Sequence, residues 1–327
     1  MFDKNYVLVM FRTIESDRKI IEETIGDLAK VFYLRDLDED EKAKIIPQVK
    51  VIITGSGRDL SRDLIESATS LEMIQTLSAG VDNVPFQIIP ENIIVCSNAG
   101  GNAQAVAEHA LALLFAAVKR VVYHTEKMRK GIWERRKYGI LLRGKKLGII
   151  GLGHIGAEIA KMAKALGMKV YGINRSGKTD VPVDFIGTPK DLHKVLSEAD
   201  IIVISLPLTK YTRGLIGAKE LGLMKKNAIL INISRGEIID QRALYEHLRN
   251  NPEFIAALDV WWRYPKEEER IYQDYPFHEL ENVIMTPHIA GFTPEIREQV
   301  IRNAMENVAR YLRGEKPRNI VNRDDYV

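Results

Sequence analysis

A single cysteine, Cys96, stands in 327 residues. Alone it forms no intramolecular disulfide and builds no cysteine-based metal cluster, so a reducing, cytoplasmic setting is expected and a metal site is not. Charge of one sign is missing as well. The 47 Lys and Arg against 44 Asp and Glu leave a formal net charge of +3, too balanced to draw the whole chain to nucleic acid or to a membrane surface. Long apolar runs are absent: the most promising, 110–118, falls far short of the roughly 20 residues that cross a bilayer. The opening Met1-Phe2-Asp3-Lys4-Asn5 is not the charged segment and apolar stretch of a secretory signal. Short repeats and low-complexity tracts are also lacking. What is there is 46% hydrophobic and 28% charged, an ordinary globular composition that, at ~100–200 residues per domain, predicts two domains.

Short Val- and Ile-rich runs alternate with helical patterns along the chain, the signature of βα units feeding mostly parallel sheets. A first series places strands at 6–10, 31–34, 51–54, 73–77 and 93–96, with helices such as 17–29 and 60–67 between them. The stretch 103–123 reads as one helix, long enough to bridge two domains. It runs into a basic segment, 120–146, with ten Lys or Arg and two acids, read as a solvated arm or oligomer contact in preference to a nucleic-acid patch. A second series of six strands follows at 147–150, 169–173, 201–206, 228–233, 255–259 and 283–286. The segment 294–312 is an amphipathic helix with Gly314 and Pro317 as its stop.

Gly151-Leu152-Gly153-His154-Ile155-Gly156 follows the first strand of the second series and opens a helix at 155–166. Both flanks are those a dinucleotide site requires. Gly151 permits the tight turn, Gly153 lets backbone approach a pyrophosphate, and Gly156 lets the helix pack closely on the strand. The next strand ends in Asn174-Arg175-Ser176, with Lys178 close behind, where an NAD site usually carries an acid for the ribose 2′-hydroxyl. A guanidinium and a hydroxyl suit a 2′-phosphate, so NADP(H) is expected over NAD(H). The competing reading makes Arg175 a solvent-exposed turn residue and leaves Asn174 alone to hold the ribose.

Ligands of open α/β sheets bind beyond the carboxyl ends of strands, and three polar residues stand there. Arg235 follows the strand 228–233, Asp259 closes 255–259, and His288 follows 283–286. Together they offer a cation, a carboxylate and a titratable imidazole, a set suited to hydride transfer. His109, His193 and His247 lie on helical patterns and read as satisfied structural residues.

The chain resembles the D-isomer-specific 2-hydroxyacid dehydrogenases, which include glyoxylate and hydroxypyruvate reductases. The resemblance covers Leu77-Ser78-Ala79-Gly80-Val81-Asp82, Ala107-Glu108, Gly131-Ile132-Trp133, the glycine loop, Leu206-Pro207-Leu208-Thr209, Asn232-Ile233-Ser234-Arg235-Gly236, Ala257-Leu258-Asp259-Val260 and Thr286-Pro287-His288-Ile289-Ala290-Gly291. It implies an α/β protein of two Rossmann-like or flavodoxin-like open parallel-sheet domains with a cleft between them. The catalytic domain would be discontinuous, 1–99 with 294–327, and the dinucleotide domain would be 100–293. By the same resemblance, Arg235 holds the substrate carboxylate and polarises the carbonyl, and His288 exchanges the proton. Asp259 orients the nicotinamide carboxamide, Ala79 and Gly80 grip the substrate carboxylate, His154 and Ile155 lie under the pyrophosphate, and Ile233 lies against the cofactor. A homodimer and the short, two-domain form of the family are implied too.

One departure stands out. Most active members carry a glutamate before the proline that follows the Asp-Val pair, and it pairs with the catalytic histidine; this chain has Tyr264-Pro265 there. A phenol can orient an imidazole but does not stabilise its cation as a carboxylate does. Glu267, Glu268 or Glu269 folding back is one rescue, Tyr264 sufficing is a second, and a substrate needing no proton transfer is a third. The leading expectation is reduction of a small 2-oxo acid, with Trp261 and Trp262 as candidate pocket walls. The alternatives are a cofactor-sensing binding protein of the same fold and a formate- or phosphite-oxidising enzyme.

Overall fold

The computed structural model describes residues 5–266 and 273–327. Glu267, Glu268 and Glu269 therefore lie outside the described residues. The chain divides into two compact units, Met1–Asn102 with Phe292–Val327, and Ala103–Gly291. No helix among the described residues is long and apolar enough to cross a membrane.

In the first unit, β1 (Asn5–Val9), α1 (Glu15–Ile25), β2 (Ala29–Tyr33), α2 (Glu39–Ile45), β3 (Val49–Thr54), α3 (Arg62–Ser67), β4 (Met73–Thr76) and β5 (Ile94–Cys96) follow one another. Their sheet is parallel, in the order β2-β1-β3-β4-β5. Alternation along the strands sends Val7, Val9, Val51 and Ile53 to one buried face and Leu8 and Ile52 to the other, so the strands read as continuous apolar runs.

The second unit holds α4 (Ala103–Val118), α5 (Val121–Arg129), β6 (Lys146–Ile150), α6 (His154–Ala165), β7 (Lys169–Ile173), β8 (Phe185–Gly187), α7 (Leu192–Glu198), β9 (Ile201–Ile204), α8 (Ala218–Leu223), β10 (Ile229–Asn232), α9 (Gln241–Asn250), β11 (Ile255–Leu258) and β12 (Val283–Met285). Seven parallel strands run in the order β12-β11-β10-β9-β6-β7-β8, so the chain reverses its direction of travel between β6 and β9. That switch point is where open α/β sheets bind nucleotides. The seventh strand, β8, is one more than the sequence predicts; its three residues sit among Pro, Asp and Gly and carry no periodicity.

The helix expected at 103–123 is two helices. Arg120 takes φ +52°, a left-handed conformation that ends α4, and its guanidinium binds the Tyr138 carbonyl at 3.3 Å and Glu253 at 2.7 Å. Apolar spacing continues through the break, which hides it from the sequence. In the basic segment, Arg120, Lys127, Arg129 and Lys146 all pair with acids.

The first unit is closed by α10 (Pro294–Leu312), which packs on α1 and β4 and buries Ile301, Met305 and Val308. Burying each such side chain contributes roughly 1.5–3 kcal/mol. Arg297 on this helix grips the buried Asp17 of α1 through Nε at 2.9 Å and Nη2 at 2.6 Å.

Candidate functional site

Each glycine of the loop after β6 has its own physical reason. Gly151 has φ +108°, and a Cβ there would lie 2.5 Å from the Ser205 carbonyl oxygen. At Gly156 a Cβ would meet the Gly151 oxygen at 2.5 Å and the Ile149 side chain at 3.0 Å, so this glycine sets how closely α6 sits on β6. Gly153 differs: φ is −102°, and a Cβ would meet nothing within 4 Å. Neither backbone conformation nor protein packing requires glycine there. The open space lies at the exposed N-terminus of the twelve-residue α6, where Gly153 is itself the cap residue and has no side chain to cover the first amides. The first amides of such a helix attract phosphate oxygens, and those of His154 and Ile155 are in place to do so. The loop thus fits a dinucleotide.

Beyond β7, Asn174 is engaged in its own turn. Its Oδ1 accepts from the Gly177 amide at 2.7 Å, and its Nδ2 donates to the Lys178 carbonyl at 2.7 Å. Gly177 permits the turn with φ +64°. Arg175 and Ser176 are carried on the turn and are both exposed.

Arg235, Asp259 and His288 follow β10, β11 and β12, three neighbouring strands of one parallel sheet, so all three emerge on its carboxyl edge. Asp259 is fully buried. Its Oδ1 accepts from the Thr286 hydroxyl at 2.6 Å and the Ile289 amide at 3.0 Å, and its Oδ2 from the Ala290 amide at 3.0 Å. These donors satisfy a buried polar side chain that would be costly to leave unpaired. His288, between those partners, has φ +59°, a conformation that costs an L residue roughly 1–2 kcal/mol.

His109 joins this group from α4. Its Nε2 lies 3.1 Å from the Thr286 hydroxyl and 3.5 Å from Asp259 Oδ1. The sequence reading made it a structural histidine like His193, which pairs with Glu220 at 2.9 Å, and His247, which packs edge-on against Phe254. For His109 the satisfying partner lies outside its own helix, at the strand-end group. Its contact spans 177 residues of sequence and leaves no local signal.

Tyr264 lays its ring beside that of His288, with centroids 5.3 Å apart at 39°, and its hydroxyl accepts from the Trp261 amide at 3.2 Å. Both tryptophans bind backbone carbonyls of other loops through their indole N–H groups. Trp261 is buried and donates from Nε1 to the Thr286 carbonyl at 3.0 Å; Trp262 donates to the Ile239 carbonyl at 2.8 Å and stacks on Phe277. Both indoles knit loops together. Gly236, next to Arg235, completes the knitting: a Cβ there would lie 2.4 Å from the Trp261 carbonyl carbon. Ile233 is buried in the core at the end of β10, so its side chain packs there.

In the first unit, the loop Ser78-Ala79-Gly80 is pinned by Ser78 Oγ donating to the Gly80 carbonyl at 2.6 Å and by the Asn98 amide donating to the Ser78 carbonyl at 3.0 Å. The Ala79 and Gly80 amides find no acceptor among the described residues.

The family profile described as D-isomer specific 2-hydroxyacid dehydrogenase, NAD binding domain, matches residues 111–290. The chain belongs to that family. Among dehydrogenase relatives, the D-3-phosphoglycerate dehydrogenase of Methanocaldococcus jannaschii is 36% identical over 97% of this chain, which spans 59% of that protein's length. The glyoxylate reductase of Thermococcus litoralis is 35% identical, covering 94% of this chain and 96% of its own. A solved acyclic imino acid reductase in complex with NADPH and D-Arg superposes with a TM-score of 0.78 at 29% identity, covering 97% of this chain and all of that one. The two parallel-sheet α/β units match the architecture of solved structures of the family.

Proposed function

We propose that the protein is a nicotinamide-dependent 2-hydroxyacid dehydrogenase that reduces a small 2-oxo acid of the glyoxylate or hydroxypyruvate type, with NADP(H) preferred over NAD(H). The observation that carries the reading is the emergence of Arg235, Asp259 and His288 from three neighbouring parallel strands of the unit that bears the glycine loop.

A dinucleotide bound over Gly151, Gly153 and Gly156 supplies the hydride. The amides of His154 and Ile155 hold its pyrophosphate. Arg175 and Ser176 take the 2′-phosphate, while Asn174, whose carboxamide is bound into the turn, shapes the loop that presents them. The Arg235 guanidinium holds the substrate carboxylate and polarises the carbonyl. His288 donates the proton to the carbonyl oxygen during reduction and accepts it in the reverse direction. Asp259 keeps the His288 loop in place and is the residue that would orient the cofactor's carboxamide. The amides of Ala79 and Gly80 are donors for the substrate carboxylate.

A homodimer belongs to this reading, supported by exposed apolar side chains on and after the first two helices of the second unit, among them Phe115, Val121, Met128 and Trp133. A cytoplasmic location follows from the lone reduced Cys96.

Tyr264 favours a second reading. A phenol beside an imidazole does not itself stabilise its cation as a carboxylate does. Hydride transfer to an iminium, which already carries its proton, or from formate needs no proton donor at His288. The imino acid reductase among the structural relatives fits that chemistry.

The deciding assay follows loss of NADPH absorbance with a panel of 2-oxo acids, alone and with ammonia, and repeats it with NADH. Formate with the oxidised nucleotides completes the set. Turnover of 2-oxo acids alone supports the first reading, and turnover only with ammonia or formate the second. Nucleotide binding without any turnover would sink both and leave a cofactor-sensing protein.

A further inference from the structure

We infer that His109 is a positioning residue of the site: from α4 it holds, through Thr286 and Asp259, the left-handed turn that presents His288. The inference rests on the reading of His288 as the proton-transfer residue.

The direction of the hydrogen bonds is forced. Thr286 has one hydroxyl hydrogen, and it donates it to Asp259 Oδ1 at 2.6 Å. The His109 Nε2 at 3.1 Å from the same hydroxyl oxygen must then be the donor. His109 therefore carries its hydrogen on Nε2, and the 3.5 Å approach of that N–H to Asp259 Oδ1 adds to the attraction. Its Nε2 faces the Thr286 hydroxyl oxygen and, farther off, the Asp259 carboxyl.

Three donors of one loop meet at the carboxylate. Thr286 lies two residues before His288, and Ile289 and Ala290 follow it directly; all three donate to Asp259. A loop gathered at one buried point on both sides of His288 has little freedom to relax its φ of +59°. The loop alone does not fix where that point sits. The helix α4 does: it packs on β10, β11 and β12, the strands that end at Arg235, Asp259 and before His288. His109 is the side chain through which α4 reaches Thr286, with its ring 18% exposed. Glu108 points elsewhere, receiving the Gln104 carboxamide on the exposed side of the helix.

The test compares His109→Leu, which removes the donor, with His109→Gln, which retains an N–H on a side chain of similar reach. Two readouts are taken: kcat and KM with NADPH and the best 2-oxo acid, and amide hydrogen exchange resolved at Ile289 and Ala290. The Leu variant is expected to lose about tenfold or more in kcat while the NADPH KM changes less than about threefold, the scale of one lost hydrogen bond acting on orientation. Exchange at Ile289 and Ala290 should accelerate by about tenfold, with β9 and β10 unchanged. His109→Gln should restore most of both. Faster exchange spread equally over β9 and β10 would overturn the inference, because His109 would then support the unit as a whole. Unchanged exchange and kcat in the Leu variant, or no recovery with Gln, would overturn it as well. If the wild type turns over no substrate, the function reading falls, and exchange at Ile289 and Ala290 still decides whether His109 holds the loop.

Discussion

Tyr264 lies against His288, ring to ring at 5.3 Å, with its hydroxyl turned to the Trp261 amide. The pair brings an aromatic face, with no formal charge, to the imidazole whose proton the proposed reduction uses. Glutamate at 264 would place a negative charge beside that ring and favour its protonated form.

Tyr264→Glu is therefore expected to move the alkaline limb of the kcat profile for 2-oxo acid reduction upward by about one pH unit. The sign follows from the protonated imidazole being the active form in reduction. Initial rates between pH 6 and 10 at saturating NADPH, on the order of the range that brackets a histidine, give the answer. A limb that stays put would mean that His288 does not supply the proton.

Arg175→Ala separates the two nucleotides. Losing one charge-assisted hydrogen bond to a phosphate costs about 1.5–3 kcal/mol, so the NADPH KM should rise by roughly 10- to 100-fold. The NADH KM should change little, because NADH presents only a ribose hydroxyl at that position. Equal effects on both would remove the 2′-phosphate from Arg175.

Gly153→Ala and Gly156→Ala are expected to fail in opposite ways. The first adds a methyl where the protein has room, so Tm should hold while nucleotide affinity drops by about tenfold or more. The second pushes a methyl into the Gly151 carbonyl and the Ile149 side chain and should lose about 1–3 kcal/mol of folding stability. Thermal melts with and without NADPH distinguish them. A Gly153→Ala protein that binds nucleotide normally would show that the open space at α6 is not a phosphate cradle.

His247 supplies a pH dependence of folding away from the site. Burial holds its imidazole below the ordinary 6.5, so the folded state disfavours the charged ring. Above pH 6.5 the ring is neutral folded and unfolded, and it costs nothing. As pH falls below 6.5 the unfolded chain takes up the proton first, and stability declines until the folded ring is protonated too. Urea melts at pH 7.5 and 5.5, roughly one unit either side of that value, should show a smaller acid loss for His247→Leu than for the wild type. Identical losses would assign the acid sensitivity to other groups.

Much of the nucleotide site was legible in the sequence because its determinants are neighbours along the chain. Gly151, Gly153 and Gly156 sit between an apolar run and a helical pattern, and Arg235, Asp259 and His288 each follow a strand by a few residues. What escaped was set by distance or by competing geometry. The His109 contact with Thr286 depends on α4 crossing three strand ends, which no spacing encodes. Trp261 and Trp262 bind carbonyls on other loops through their indole N–H groups, contacts that no spacing encodes either. At Arg120 the apolar periodicity runs straight through a left-handed residue, and the three-residue β8 has too little pattern to register.

The placement of α10 bears on the order in which the polypeptide is made. Its Arg297 meets Asp17 across 280 residues of sequence, and its Asn307 reaches Gln75 across 232. During synthesis from the N-terminus, the strands of the first unit emerge early with the apolar surface around Val9, Ile53 and Met73 uncovered. The second unit, whose residues are contiguous, has all its parts before α10 is translated. A chain emerged only as far as residue 291 would thus hold every part of one unit while the other still lacks its lid of Ile301, Met305 and Val308, the state in which a holding chaperone has the most to protect.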